Sequence, residues 1–376
     1  MPETANVGII GCGRISGAYL NHAQRFKAFD VTAVADLRLE AAEARAKEFN
    51  IPKACLPDQL LADPDIETVI VLTPHKWHGE VGISVLEAGK NVYIEKPFAV
   101  ELTDANRMVE LAAEKGLRAG AAPDTFFGGA WQTARSLIDD GAVGEPIGAF
   151  ICLQARMGGP WKRGNEPGAE APDHYENFYI TDFFEYGVTW SFDRGPYYLN
   201  AVIHLMGPAK RVAASATNPW PERDRGGRKF ECNTPTHFTG VIDFANGAAA
   251  SFHITSDVIG LGLPHVEIYG SDGSLRCIDP NNFGGRLRLK KANGETTDID
   301  STFGYNGNSR GVGVADMCSA IRAGRPHRAS GEMGRHVVEI IHALHTSSSE
   351  GRHVVLESTC PQPAALPSGM EDWEID

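Results

Sequence analysis

The chain lacks any apolar run long enough to cross a bilayer, which takes about 20 residues in a helix. It also lacks basic excess: 48 Asp and Glu stand against 35 Lys and Arg, for a formal net charge of −13. Such a surface repels phosphate backbones and anionic lipid heads, so neither nucleic acid nor a membrane is expected as a partner. Cysteine is sparse and scattered: Cys12, Cys55, Cys152, Cys232, Cys277, Cys318 and Cys360 include no C-x-x-C pair. An odd count in a long chain argues against a disulfide framework and for free thiols. No basic or apolar segment precedes the first strand in Met1 to Asn6, so no secretory leader is expected and the cytoplasm is the expected compartment. Internal repeats and low-complexity tracts are missing as well.

What is present is an ordinary globular composition, 42% apolar and 22% charged over 376 residues. At about 100–200 residues per domain, two domains are expected. The first part alternates short apolar runs (Val7–Ile10, Val31–Ala35, Thr68–Leu72, Asn91–Glu95, Arg118–Ala121) with helix-like stretches such as Leu39–Phe49 and Val81–Ala88. That alternation predicts parallel βαβ units, an α/β doubly wound sheet over residues 1–122. The pattern changes at Ala122-Pro123. After one helix-like segment, Gly129–Asp139, strands dominate: Ile147–Arg156, Arg211–Thr217 and three hairpins turning at Asn246-Gly247, Asp272-Gly273 and Asn293-Gly294. Two helical segments follow, Gly313–Ala323 and Glu332–Ser349. Residues 123–376 are therefore expected to form an α+β domain with a large open mixed or antiparallel sheet.

Gly11-Cys12-Gly13-Arg14-Ile15-Ser16 leaves the first strand and opens a helix. Gly11 permits the tight turn, Gly13 lets backbone approach a pyrophosphate, and Ser16 is small enough for close helix packing. Arg14 and Ile15 carry the first amides of a helix N-terminus, which suits phosphate. Asp36 ends the second strand, 23 positions after Gly13, where an acid can accept from both adenosine ribose hydroxyls. Its charge opposes the extra phosphate of NADP and favours NAD. Arg38 could hold that phosphate, so NADP stays open.

Two more segments follow strand ends on the same side: Thr73-Pro74-His75-Lys76-Trp77-His78 and Glu95-Lys96-Pro97. Ligands of doubly wound sheets sit at the carboxyl ends of strands, so Thr73, Pro74, His75, His78, Glu95 and Lys96 are placed by the nicotinamide half of the cofactor. Oxidising a secondary alcohol needs a proton removed as hydride leaves. A partly desolvated amine beside a cationic ring, with a lowered pKa, can take it. His75 and His78 have H-x-x-H spacing but no partner at zinc-site spacing, so no metal is expected.

With Gly11-x-Gly13, these segments resemble the family of glucose–fructose oxidoreductase, inositol dehydrogenase and rhizopine-catabolism proteins over nearly the whole chain. The resemblance implies a Rossmann domain, sugar or polyol dehydrogenation, a catalytic Lys96 and an often cis proline after it. It implies homodimers or homotetramers built through the open sheet. The family's D-x-x-x-H motif maps to Asp193 and Tyr197, with tyrosine where many members carry histidine, and Asn200 falls where some carry a second acid. A phenol titrates near 10, so proton transfer then rests more on Lys96. Many members have an asparagine–arginine pair where this chain reads Ala122-Pro123-Asp124-Thr125; Asp124 is expected at the substrate. Two rival readings share the scaffold: an NAD-dependent glycosidase working by transient oxidation and elimination, and a non-catalytic nucleotide-sensing regulator.

Residues 157–192 show no regular pattern and hold nine aromatics: Trp161, Tyr175, Phe178, Tyr179, Phe183, Phe184, Tyr186, Trp190 and Phe192. Trp161 is expected at the substrate. Aromatic faces suit the C–H faces of a sugar, and equally a subunit interface or a small core.

Overall fold

The computed structural model describes residues 4–155, 183–225 and 228–376. Six strands, β1 (Ala5–Ile10), β2 (Phe29–Ala35), β3 (Lys53–Cys55), β4 (Thr68–Val71), β5 (Asn91–Ile94) and β6 (Ala119–Ala121), form one parallel sheet in the order β3-β2-β1-β4-β5-β6. Val7, Ile9, Val69, Ile70, Val71, Val92 and Ile94 are fully buried, as a sheet covered on both faces requires. Helices α1 (Ser16–Ala23), α2 (Leu39–Phe49), α3 (Pro57–Leu61), α4 (His78–Glu87) and α5 (Leu102–Lys115) connect these strands. The chain reverses direction across the sheet between β1 and β4. The loops after those two strands therefore diverge and leave a crevice at their carboxyl ends.

The second sheet has nine strands in the order β16-β15-β14-β13-β7-β12-β11-β8-β17. Its members are β7 (Pro146–Gln154), β8 (Ala209–Thr217), β11 (His237–Phe244), β12 (Ala249–Thr255), β13 (Val266–Gly270), β14 (Gly273–Cys277), β15 (Leu287–Lys291), β16 (Thr296–Ile299) and β17 (Val354–Val355). Only β7 and β12 pair in parallel, so the sheet is mixed. The three expected hairpins are present. At the first, the Asn246 side chain takes the Ala248 amide and donates to the Met206 carbonyl, while Gly247 adopts a φ of +93°. A separate ribbon pairs β9 (Glu222–Arg225) with β10 (Arg228–Glu231). One face of the large sheet buries Ile151, Ile242 and Ile268; the other carries Phe150, Val241 and Tyr269.

Five more helices complete the described chain: α6 (Gly129–Asp139), α7 (Thr189–Asp193), α8 (Gly195–Met206), α9 (Val312–Ala323) and α10 (Gly331–Glu350). Ser330 caps α10 by accepting the Met333 amide. This helix ties the two sheets together. Ser347 and Ser348 accept the β8 amides of Ala214 and Ala216, while just before the helix Ala329 accepts the Ala121 amide of β6. The expected break after residue 122 is thus crossed by late chain returning to the first sheet. Arg156, the expected end of the strand from Ile147, lies outside the described residues. Among the described residues, no helix is long and apolar enough to cross a membrane.

Candidate functional site

Gly11 has a φ of +105°, and a Cβ there would lie 2.6 Å from the Leu72 carbonyl, so only glycine fits. A Cβ on Gly13 would meet nothing within 4 Å, which leaves open space over the turn for another group. Ser16 Oγ donates to the Gly13 carbonyl at 2.6 Å. Arg45, from α2, donates to the carbonyls of Cys12 and Gly13. Arg14 and Ile15 lie between this turn and the first residue of α1, Ser16. Asp36 accepts the Cys12 and Arg38 amides at 2.9 and 3.0 Å, which orients its carboxylate beside the turn. The Arg38 side chain is 79% exposed, with Nε 3.9 Å from Asp36 Oδ1. The geometry fits a dinucleotide, and a buried Thr73 Oγ1 with no partner among the described residues fits a ligand at the nicotinamide end.

Lys96 follows β5 through a cis peptide to Pro97, as the resemblance implied. Its Nζ donates to Asp193 Oδ1 at 2.5 Å. Asp193 ends α7, so the pair joins the first sheet to a helix of the second half. Burial works against charge on Lys96, but Asp193, with Tyr197 and Glu95, outweighs it and holds the amine above the ordinary lysine range. This corrects the expected lowered pKa: a close carboxylate counts for more than desolvation. Burial likewise pushes Asp193 up, and the Lys96 cation reverses that, leaving it below the usual carboxylate range.

The Lys96 Nζ lies 5.9 Å from the centre of the Tyr197 ring. Glu95 is 6% exposed, accepts the Lys96 amide at 2.7 Å and takes the Tyr19 hydroxyl at 3.3 Å. His75 Nε2 stands 4.0 Å from Asp193 Oδ1. Burial, aided by Lys96, pushes the imidazole down to about 3, so it is neutral. His78 is 1% exposed with its ring nitrogens 2.6 Å from the Pro97 carbonyl and 2.8 Å from the Thr73 carbonyl. It bridges the loops after β4 and β5, and both nitrogens are committed to protein. Pro74 is exposed at the crevice rim.

Asp124 takes a different place from the one expected. It is 1% exposed, and Oδ2 accepts the Gly311 and Gly313 amides at 2.8 and 3.1 Å, capping the approach to α9. Burial lifts it to about 6. Its Oδ2 is committed to backbone. Asn200 donates to the Pro123 carbonyl at 3.0 Å and fixes that same turn. Trp161, Tyr175, Phe178 and Tyr179 lie outside the described residues. Of the remaining aromatics in that segment, Phe183, Phe184, Trp190 and Phe192 are at most 5% exposed, and Phe183 meets Phe184 and Trp190 edge-on. These four are core.

The sequence reading missed Arg45, whose role is visible only once α2 lies beside the turn. It also missed Arg310, whose Nη2 lies 3.4 Å from Tyr197 Oη across more than a hundred residues of chain. No sequence signal marks either.

Residues 5–122 match the family model "Oxidoreductase family, NAD-binding Rossmann fold", and residues 131–276 match the GFO/IDH/MocA C-terminal domain. A 1,5-anhydro-D-fructose reductase of Ensifer adhaerens is 33% identical over 346 residues, 87% of this chain and 91% of that protein. A scyllo-inositol 2-dehydrogenase (NADP(+)) of Bacillus subtilis is 24% identical over 94% of this chain and 97% of its own. Among solved structures, levoglucosan dehydrogenase in complex with NADH and levoglucosan superposes with a TM-score of 0.79 at 21% identity, covering 95% of this chain and all of that one. With both family models matched and a relative aligned along most of its length, the chain belongs to the GFO/IDH/MocA family of NAD-binding oxidoreductases.

Proposed function

We propose that the chain interconverts a secondary alcohol and a ketone on a cyclic sugar or anhydrosugar, with NAD preferred over NADP. The buried ion pair of Lys96 with Asp193, at the carboxyl end of β5, carries this reading. NAD(H), when bound, supplies or accepts the hydride. The work of the protein is to bind, orient and move one proton. Gly11, Gly13, Arg14 and Ile15 offer backbone to the pyrophosphate, and Asp36 holds the adenosine ribose, with Arg38 at its edge. Thr73, Pro74, His75, His78 and Glu95 shape the nicotinamide end.

Lys96, held protonated by Asp193, donates its proton to a carbonyl oxygen in reduction and takes it back in oxidation. Asp193 keeps the amine aimed, and Tyr197 hydrogen-bonds the same substrate. A protonated amine at rest favours assay in the reductive direction first. The full-length likeness to a 1,5-anhydro-D-fructose reductase supports an anhydroketose as the first substrate to try. Seven free, buried cysteines support a reducing compartment such as the cytoplasm. The outer sheet face with Val241 and Tyr269, 37% and 39% exposed, supports a homodimer or homotetramer formed there.

The test is a panel of anhydroketoses, anhydrosugars, inositols and glycosides, followed by NADH absorbance and product analysis. Stoichiometric NADH change with a ketone or alcohol is the expected result. Glycoside cleavage without net NADH change would replace it with the elimination reading.

A further inference from the structure

Arg310 comes from the second half of the chain, and its backbone is fixed by residues beside the first sheet. Its carbonyl lies 3.2 Å from Nδ1 of His22 on α1. The next amide, that of Gly311, donates to Asp124 at 2.8 Å. A long side chain rooted this firmly reaches its target with little freedom left to lose.

The guanidinium points toward the Lys96 site. Nη2 donates to Tyr197 Oη at 3.4 Å and to Asn281 Oδ1 at 2.8 Å, and Nη1 donates to Asn308 Oδ1 at 3.0 Å. All three acceptors are neutral, and Arg310 makes no direct ion pair among the described residues. Arg328, also drawn in from solvent, bonds an aspartate directly, Asp316 at 2.5 Å. Desolvating a guanidinium costs free energy that an ion pair or a full set of hydrogen bonds must offset. A guanidinium has five N–H donors, and three are used here. Two have no protein acceptor among the described residues.

The same bond constrains Tyr197. Its oxygen accepts from Arg310, so its own hydrogen is free to point elsewhere. Two cations meet this phenol: Arg310 Nη2 donates to the oxygen at 3.4 Å, and Lys96 Nζ lies 5.9 Å from the ring centre.

We propose that Arg310 is a specificity-determining residue of the substrate cleft. Its remaining N–H groups, on Nε and Nη1, each offer a donor to a hydroxyl or ring oxygen of the sugar, other than the oxygen that reacts at Lys96. Its bond to Tyr197 makes the phenol a donor to the same sugar. This rests on the sugar oxidoreductase reading above.

The experiment compares wild type, Arg310→Met and Arg310→Lys on the best sugar of the panel and on its monodeoxy analogues, each lacking one hydroxyl. Arg310→Met should lower kcat/KM by about tenfold to a hundredfold, the range of one hydrogen bond to a charged group, mostly through KM. The NAD dissociation constant, read by calorimetry, should stay within about twofold. Arg310→Lys should recover part of the KM, since charge returns without the fork. The deciding readout is discrimination: wild type should lose affinity for one particular deoxy analogue, and both variants should be less sensitive to that same deletion. An unchanged KM in Arg310→Met overturns the proposal. So does a variant that keeps the full wild-type penalty for every deoxy analogue. If Arg310→Met does not fold, the analogue series on Arg310→Lys decides by the same criterion. Absence of NAD-linked turnover in wild type on every sugar overturns the sugar reading and this proposal with it. Turnover in wild type with no altered discrimination overturns this proposal alone.

Discussion

Replacing Lys96 with alanine separates two things that the ion pair does. The first is chemistry: general acid–base help is worth about 10²–10⁴-fold, so kcat should fall by that much. The second is structural. The Lys96 and Asp193 side chains are only 15% and 12% exposed, so solvent screens their attraction weakly. Removing one partner of a buried pair costs about 3–5 kcal/mol, because the other charge is stranded. Here Arg194 Nε remains 3.7 Å from Asp193 Oδ2, which puts the expectation at the low end. The double variant Lys96→Ala/Asp193→Ala should regain most of that stability and none of the activity.

The pH dependence carries a sign. Asp193 is held below its ordinary 3.8, so its contribution is present above that value and lost as pH falls through the folded one. Lys96 is held above its ordinary 10.5, so its contribution is present below that value and lost as pH rises further. The stability gap between wild type and Lys96→Ala should therefore be flat across about pH 5 to pH 9 and narrow in acid. Urea melts, steady-state kinetics and NAD calorimetry on the three proteins supply the readings. Lys96→Ala within about tenfold of wild-type kcat would refute the proton role. Activity returning in the double variant would refute it as well.

Asp36→Ala should weaken NAD and narrow the gap to NADP, measured by calorimetry; tighter NADP than NAD binding by the intact protein would reverse the assignment of Asp36 over Arg38. Gly11→Ala should cost at least about tenfold in NAD affinity, because its Cβ would press on the Leu72 carbonyl 2.6 Å away; unchanged binding would show that the turn is not the phosphate cradle. Tyr197→Phe should cost less kcat than Lys96→Ala, and the reverse order would make the phenol the acid–base group. His75, His204 and His336 are pushed by burial to about 3, 3 and 4 from 6.5, so each stabilises above the unfolded value, and each loses about 1.4 kcal/mol by about pH 5.5. Asp124, lifted to about 6, acts with the opposite sign and returns about 0.8 kcal/mol, leaving a net loss of about 3 kcal/mol between about pH 7.5 and pH 5.5; stability that is flat over this range would refute the buried neutral histidines.

Much of the fold is legible where the chemistry is local. The Val69-Ile70-Val71 run reads as a strand covered on both sides, and Asn246-Gly247 as a tight hairpin turn. The Gly11 turn and Asp36 sit in one βαβ unit, so spacing alone brings them together. The three-residue strand Lys53–Cys55 is too short to show a period, and its pairing with β2 is what makes it a strand. The helix Thr189–Asp193 begins with Thr189 at a φ of +44° and follows glycine and valine, a start that no capping pattern announces. At the site, Lys96 and Asp193 could be named only through the family resemblance, since 97 residues separate them. Arg310 has no such help. Its identity is one arginine among many until the chain places it against Tyr197.

Asp124 shows why the two kinds of residue trade places. A carboxylate just past the sixth strand lies beside the crevice in sequence terms, and substrate is the natural partner to give it. In the fold, the loop before α9 passes directly over that strand end, and its amides at Gly311 and Gly313 reach the carboxylate first. Backbone donors that would otherwise be buried without partners must be satisfied, and a fixed aspartate does so at no further ordering cost. The consequence falls one residue upstream. With Gly311 pinned to Asp124 and the Arg310 carbonyl beside His22, the Arg310 side chain is directed to Tyr197, Asn281 and Asn308. The acid expected to touch substrate instead fixes the arginine that we propose does, and it does so from the sheet that carries Lys96. Lys96 is linked to α7 through Asp193, and Arg310 to the same sheet through Asp124. On the proposed mechanism, proton transfer and recognition are set by two contacts across one junction, and loosening either should be felt at both.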